Sequence, residues 1–424
     1  MLSKNKRMIV FKFGGASVSS ASSIRNLAGI LSGYHEKMIV VVSAFGKMTN
    51  AFEGLLASWY EGSPDRFTLL GSIKEYHYNI IRELFPVGNH PVYDHFQFLT
   101  GLIQQKLKAA PSDNYDFEYD QLVSFGEVIS TRIVSSFLEA VNISNRWADA
   151  RHWLVTDDTF REASVDFNQS GPRLKELISS AGPGLLVTQG FIGGTVDGHT
   201  TTLGREGSDY TAAIAANLSD ARSLVVWKDV PGILTADPLY FPDAEKVDEL
   251  SYQEAIELSF YGAKVIHPKT IKPIQNKNIP LFVKSFIDPQ GSGTVIHSVD
   301  KPYVLKPILI IKKDQILLSL TPRDFSFVVE DCLSRIFARF FKYRIKVNLI
   351  QHSAISFTLC LDNRGPFVQD LLEEMKSDFR VLYNEGLELI TIRHYNSVVI
   401  KKHTAGRQVL VEQRSRNTVM FVVR

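Results

Sequence analysis

Between Gly190 and Pro238 the chain reads GFIGGTVDGHTTTLGREGSDYTAAIAANLSDARSLVVWKDVPGILTADP. Glycines at 193, 194, 198, 204 and 207 precede Ser208-Asp209, which opens a helical stretch. An apolar run, Leu224 to Trp227, follows and ends in Lys228-Asp229. Glycine lets the backbone come close to a bound anion, and the free N–H groups of a helix start favour negative charge there. The planar fork of Arg205 suits a carboxylate or phosphate, gripped by two parallel hydrogen bonds. With Asp209 in the first helical turn and Asp229 at a strand end, the pattern predicts a site for a phosphorylated, zwitterionic small molecule. That is the chemistry of a small-metabolite kinase.

Three further strings carry candidate groups. Lys12-Phe13-Gly14-Gly15 puts a cation at a strand end before two glycines, although no GxxxxGK[ST] loop occurs anywhere. Phe125-Gly126-Glu127 places a carboxylate in the first turn of a helical run, where the helix dipole alone would also favour it. In Gly262-Ala263-Lys264-Val265-Ile266-His267-Pro268, Lys264 is a candidate phosphate cation and His267 reads as a packing residue.

The elements that must hold these groups follow from apolar periodicity. Met8–Phe13, a helix over 19–31 and Lys37–Ser43 make a βαβ unit, and such unbroken apolar runs mark buried parallel strands. Residues 50–110 read as a helical excursion, and further apolar runs at 184–192, 223–230 and 279–286 continue the alternation. After a linker at Lys301-Pro302 and Lys306-Pro307, the order β-α-β-β-α-β over 310–396 predicts a ferredoxin-like unit. The stretch 397–424 is expected to be three strands (SVVI, QVLVEQ, TVMFVV) without a helix, an incomplete second unit. The chain has 424 residues, 45% apolar and 22% charged, with a net charge of +2. These values describe a globular protein and exclude a nucleic-acid stripe. MIVFKF is too short for a signal segment, and Cys332 and Cys360 lack metal-ligand spacing, so a reducing cytoplasm is expected, with no membrane partner.

Taken together and in order, KFGGASV from Lys12, FGE ending at Glu127, GREGSDYTAA from Gly204, WKDVPGILTADP from Trp227, SYQEAIELSFYGAKVIHP from Ser251 and SFIDPQGSGTVI from Ser285 resemble the aspartate kinases of the amino acid kinase family. IKVNLIQHSAISFTLCLD, from Ile345, looks like part of that family's ACT regulatory domain. The resemblance implies an α/β fold with a mostly parallel sheet and helices on both faces over 1–300, plus a ferredoxin-like α+β (ACT) region over 301–424. It implies ATP- and Mg²⁺-dependent phosphorylation of the L-aspartate β-carboxylate to 4-phospho-L-aspartate, the first step toward lysine, threonine and methionine. Separately, the unpaired strand edges that a single β-α-β-β-α-β unit exposes predict a homodimer held largely through residues 310–424, the ACT region. By position, Lys12 would contact the transferring phosphoryl group, Asp209 would orient the polar groups, and Gly14 and Gly15 would offer N–H groups to phosphates. Ser43, Thr49, Glu127 and Arg205 would hold aspartate, Arg205 by its α-carboxylate and Glu127 by its α-amino group. Lys228, Asp229, Asp237 and Lys264 would bind nucleotide, with Mg²⁺ bridging the phosphates rather than held by a ligand set of the protein. Three positions depart from the pattern: Leu239 replaces a polar residue, Glu206 replaces a glycine, and TPRDFSF (from Thr321) replaces the effector-binding turn, which predicts weak feedback. Two other readings stay open: another amino acid kinase, such as one acting on glutamate, or a catalytically silent ACT-based amino-acid sensor. No homoserine dehydrogenase domain is expected, since the tail shows no dinucleotide fingerprint.

Overall fold

Strands whose every residue is apolar must be covered on both faces, and the computed structural model covers them that way. It describes residues 8–182, 184–263, 266–299, 305–324 and 326–424. Lys264 and Lys301-Pro302 of the expected linker lie outside these. Two compact units form: Met1–Ile233 with Lys246–Ile256 and Val265–Asp300, and Leu234–Glu245 with Glu257–Lys264 and Lys301–Arg424.

The first unit contains strands β1 (Ile9–Phe13), β2 (Met38–Val42), β3 (Asn145–Ala148), β4 (Leu185–Gln189), β5 (Ile192–Gly194), β6 (Thr200–Thr202), β7 (Ser223–Lys228), β8 (Glu249–Ser251), β9 (Leu281–Ser285) and β10 (Thr294–His297). Its helices are α1 (Ala21–Ser32), α2 (Met48–Tyr60), α3 (Asp65–Leu84), α4 (Val92–Lys106), α5 (Tyr115–Val123), α6 (Phe125–Ala140), α7 (Ala150–Trp153), α8 (Phe167–Ser180) and α9 (Gly207–Leu218), then α10 (Tyr252–Tyr261), whose residues from Glu257 on are counted in the second unit, and α11 (Pro268–Gln275). Eight strands form one sheet in the order β3-β4-β2-β1-β7-β9-β10-β8. All neighbours are parallel except β9 and β10. All five residues of β1, β2 and β4 are buried. Phe13 stacks on Trp227 and Phe11 meets its edge. Lys12, between them in sequence, therefore points to the opposite face of the sheet. The helical stretch expected over 50–110 is α2 to α4, and the glycine-rich segment folds as a short hairpin, β5 with β6.

In the second unit come β11 (Ile308–Pro322), α12 (Glu330–Lys342), β12 (Val347–His352), β13 (Phe357–Asp362), α13 (Pro366–Met375), β14 (Phe379–Arg393), α14 (Ser397–Thr404), β15 (Val409–Arg414) and β16 (Thr418–Val423). The sheet order is β12-β13-β11-β14-β16-β15, antiparallel throughout. Its first four strands carry the expected β-α-β-β-α-β connection. One expectation fails: Ser397–Thr404, which contains SVVI, is a helix and not a strand. Asn396 caps it by accepting from the Val399 N–H, and Lys401, Lys402 and His403 lie in the last turn, where cations meet the carbonyl end of the dipole. Capping outweighs the strand preference of three β-branched residues. The remaining tail strands pair within the chain, β16 against β14.

Packing buries one titratable base. His77 on α3 is fully buried between the rings of Phe45 and Phe96, its Nδ1–H donating to the Ile73 carbonyl at 2.8 Å. Burial pushes its pKa down from 6.5 to about 4. The unfolded chain therefore takes up a proton that the native state refuses, and stability falls as pH drops from 6.5 towards 4. Replacing His77 with Phe is expected to narrow the loss of unfolding free energy between pH 7 and pH 5 by about 2 kcal/mol. Urea unfolding at the two pH values measures it; an unchanged difference contradicts it.

Candidate active site

Register brings the chemistry-bearing residues to one edge. Phe13 aligns with Val42 and with Trp227, so the chain leaves β1, β2 and β7 side by side at Gly14, Ser43 and Lys228. In open parallel sheets this carboxyl edge is where ligands settle. Helix α9 supplies the countercharge. Its alanine-rich body (Ala212 to Ala216) is wholly buried, and its first turn delivers Asp209 beneath the sheet edge.

Lys12 Nζ lies 2.6 Å from Asp209 Oδ1, and Lys228 Nζ lies 3.6 Å from Oδ2. Asp209 is fully buried. Burial alone would raise its pKa, but the Lys12 and then the Lys228 ammonium outweigh that and hold it below the usual carboxylate range. Two ammonium groups on one carboxylate leave one positive charge uncompensated in a water-poor place. Such a site attracts an anion, and a phosphate has the charge to answer it. Gly14 sits under Lys12: a Cβ there would stand 3.2 Å from Nζ. At Gly15 a Cβ would fall 2.5 Å from the Gly46 carbonyl oxygen, so only glycine lets this turn approach the loop after β2.

Glu127, in the first turn of α6, is also buried. Its Oε2 has no hydrogen-bond partner among the described residues. Burial pushes its pKa up to about 8, against the weaker pull of the nearby Glu127 and Ala44 backbone N–H groups. A buried carboxyl left half-satisfied calls for a cationic partner. Ser130, one turn further along α6, donates from Oγ to the Ser43 carbonyl at 2.8 Å and so ties the end of β2 to the helix that carries Glu127. Thr49 lies in the first turn of α2, partly exposed.

Arg205 is exposed in the loop entering α9 and makes no ion pair among the described residues. Glu206 after it has φ 56°, the left-handed region that costs a side-chain-bearing residue about 1–2 kcal/mol. A glycine would sit there unstrained. Asp229 is exposed just past β7. Asp237 belongs to the second unit, where its carboxylate accepts from the Leu239 N–H at 3.0 Å, and Lys264 lies outside the described residues. The structure thus gathers Lys12, Gly14, Gly15, Ser43, Glu127, Asp209 and Lys228 on the first unit. Two contacts are invisible in the motifs: the approach of Lys228 to Asp209, and the Ser130 tether. For Ser130 the one available signal is its spacing of three from Glu127 on a helix.

The model of the amino acid kinase family matches residues 7–285. Lysine-sensitive aspartokinase 3 of Escherichia coli (strain K12) is 33% identical over 394 residues, spanning 91% of this chain and 86% of that protein. The chloroplastic aspartokinase 3 of Arabidopsis thaliana is 32% identical over 417 residues, covering 93% and 72%. Among solved structures, E. coli aspartokinase III in complex with aspartate and ADP superposes with a TM-score of 0.83 at 30% identity, covering 98% of this chain and 96% of that one.

Burial of Glu127 makes stability depend on pH. Between pH 4.5 and about 8 the native state keeps a proton on Glu127 that the unfolded chain has released, so this residue makes stability fall as pH rises through that window. Glu127→Gln removes the effect. It is expected to be more stable than the parent at pH 8, by a few kcal/mol, and equal near pH 4.5. Thermal melts at both pH values check this; a variant less stable at pH 8 than the parent contradicts it.

Proposed function

We propose residue roles from one premise: the chain belongs to the amino acid kinase family, within its aspartokinase branch. It is an aspartate kinase, transferring the γ-phosphoryl group of ATP to the β-carboxylate of L-aspartate. The observation that carries the assignment of roles is the buried Lys12–Asp209 pair with half-buried Lys228 beside it, whose net positive charge lies at the carboxyl edge of the sheet.

A β-carboxylate nucleophile is ionised at neutral pH and needs no general base. Transfer needs positioning and neutralisation of charge instead. Lys12 meets the phosphoryl group in flight, while Asp209 fixes Lys12 and Lys228 so that both ammonium groups are oriented before substrate arrives. Glu127 takes the α-amino group, which gives its bare Oε2 a cationic partner and lets it lose its proton. Arg205 grips the α-carboxylate, with Ser43 and Thr49 completing the aspartate site. Gly14 and Gly15 offer backbone N–H groups to the phosphates, and Lys228 and Asp229 serve the nucleotide. Mg²⁺ would arrive carried on the nucleotide, since that ion keeps its waters and takes phosphate oxygens with one or two carboxylates. When bound, it would spread the charge of the phosphates.

Residues 1–300 act as the catalytic domain and 301–424 as an ACT-like regulatory region with weak feedback. A homodimer through that region would cover the sheet's unpaired edges, β12 and β15, where Ile350 and Val409 are exposed. No helix among the described residues is long and apolar enough to cross a membrane. Two buried, unpaired thiols at Cys332 and Cys360 support a reducing cytoplasm.

With ATP and Mg²⁺, L-aspartate is expected to give an acyl phosphate that hydroxylamine traps as the aspartyl hydroxamate; reaction of glutamate in place of aspartate would overturn the substrate. Lys12→Ala should lower kcat ~10²–10³-fold, because it meets charge that develops during transfer. Arg205→Ala should chiefly raise KM for aspartate, since its carboxylate does not react and is held alike in ground and transition states. Steady-state kinetics on both variants test the roles. Equal effects on both parameters in both variants would show them misassigned.

A further inference from the structure

Among the described residues Arg205 has no side-chain partner to aim it, so its direction depends on the backbone beneath. That backbone is held from one point on α5. Asp120 is fully buried, and its carboxylate accepts three hydrogen bonds: at Oδ2 from the Thr202 N–H (2.8 Å) and the Arg161 N–H (3.0 Å), and at Oδ1 from Thr202 Oγ1 (2.7 Å). The next residue, Gln121, brackets Thr200 in both directions, Nε2 donating to its carbonyl at 2.8 Å and Oε1 accepting from its N–H at 3.2 Å. Consecutive side chains of α5 therefore pin the strand β6, from which the chain runs through Leu203 and Gly204 to Arg205.

The second contact of Asp120 reaches the same place from below. Arg161 stands at φ 68°, and its carbonyl oxygen lies 3.0 Å from where a Cβ on Gly204 would be, so Gly204, itself at φ 74°, rests on the Arg161 backbone. The Arg161 guanidinium is engaged elsewhere, on Asp116 at 2.9 Å and over the ring of Tyr119. Asp120 thus grips both the strand leading into the loop and the residue supporting it.

We propose that Asp120 is a positioning residue for Arg205: through Thr202 and Arg161 it fixes the turn from which Arg205 reaches the α-carboxylate of aspartate. This rests on the aspartate-binding reading of Arg205. The arrangement is costly for a purely structural tether, because burial pushes the Asp120 pKa up to about 6 despite its three donors. What the carboxyl supplies is acceptor geometry, and an Asn turned to place its Oδ1 toward the two N–H groups retains it.

Asp120→Ala, Asp120→Asn, Thr202→Val and Arg205→Ala are compared by steady-state kinetics on the full chain, alone and with Asp120→Ala combined with Arg205→Ala. Asp120→Ala should raise KM for aspartate about tenfold, with KM for ATP unchanged and kcat within about threefold. Asp120→Asn should restore near-parental values, Thr202→Val should fall between, and Asp120→Ala should add nothing in the Arg205→Ala background. If Arg205→Ala raises KM for aspartate and a folded Asp120→Ala does not, the positioning role is overturned while the reading of Arg205 stands. If Arg205→Ala itself leaves KM unchanged, that reading falls and the inference with it. Should Asp120→Ala fail to fold, Thr202→Val decides: an unchanged KM for aspartate overturns the proposal.

Discussion

An aspartate side chain without water, at the first turn of a helix, survives ionised only if cations come to it. Asp209 receives two, Lys12 from β1 and Lys228 from β7. Removing Asp209 would leave both ammonium groups without their counter-ion, and stripping a buried charge of its partner typically costs about 3–5 kcal/mol. The contact therefore constrains much else. Strands β1 and β7 must be neighbours and in register, α9 must start close to the sheet edge, and the residues between β6 and α9 must turn sharply enough to begin the helix there. Parallel order at the centre of the sheet, an alanine-rich α9 and left-handed backbone at Gly204 and Glu206 are the local answers to those demands.

Glu127 and Asp209 are both buried carboxyl groups at helix starts, and their surroundings push them in opposite directions. Asp209 has cations within reach and is held low, whereas Glu127 has only backbone N–H groups and is pushed up to about 8. One is a permanent part of the charge balance. The other is a vacancy for positive charge, kept open at the expense of folding stability, and in the roles proposed above the substrate's α-amino group fills it. Sites of this kind sit where native stability is lower than the scaffold could provide.

Much of the first unit is legible in the sequence because its central strands are unbroken apolar runs ended by glycine or by a charged residue; β1, β2, β4, β7 and β9 fall where those runs lie. Strand β3 (NRWA) is not, since an edge strand with alternating exposure carries little apolar signal, and β8 and β10 are too short to show a period. In the second unit VVI at 398–400 misleads, because strand preference is read from those residues while the helix is decided by Asn396 before them. At the site, motif residues at strand ends could be picked out one by one. Asp120 could not: it lies in FEYDQ, without glycine, and its partners are far away in sequence, at Arg161 and Thr202. Tethers between distant loops leave no local pattern.

Strand β11 runs fifteen residues and pairs along its length with β14, whose own second half pairs with β16. Ile308 meets Arg393, and Arg393 meets Thr418, so the opening residues of this sheet wait for the last ones. As the chain emerges from the ribosome, β11 has no lasting partner along its first residues until β14 appears, and β14 keeps an open flank until β16 does. The contact order of the unit is accordingly high, and its folding should be slow and late relative to synthesis. In the interval an apolar ribbon, ILII at 308–311, stands without a partner. A cell making this protein therefore has reason to shield that ribbon with a chaperone, and shortening the chain at its end would leave the unit unable to close rather than merely smaller.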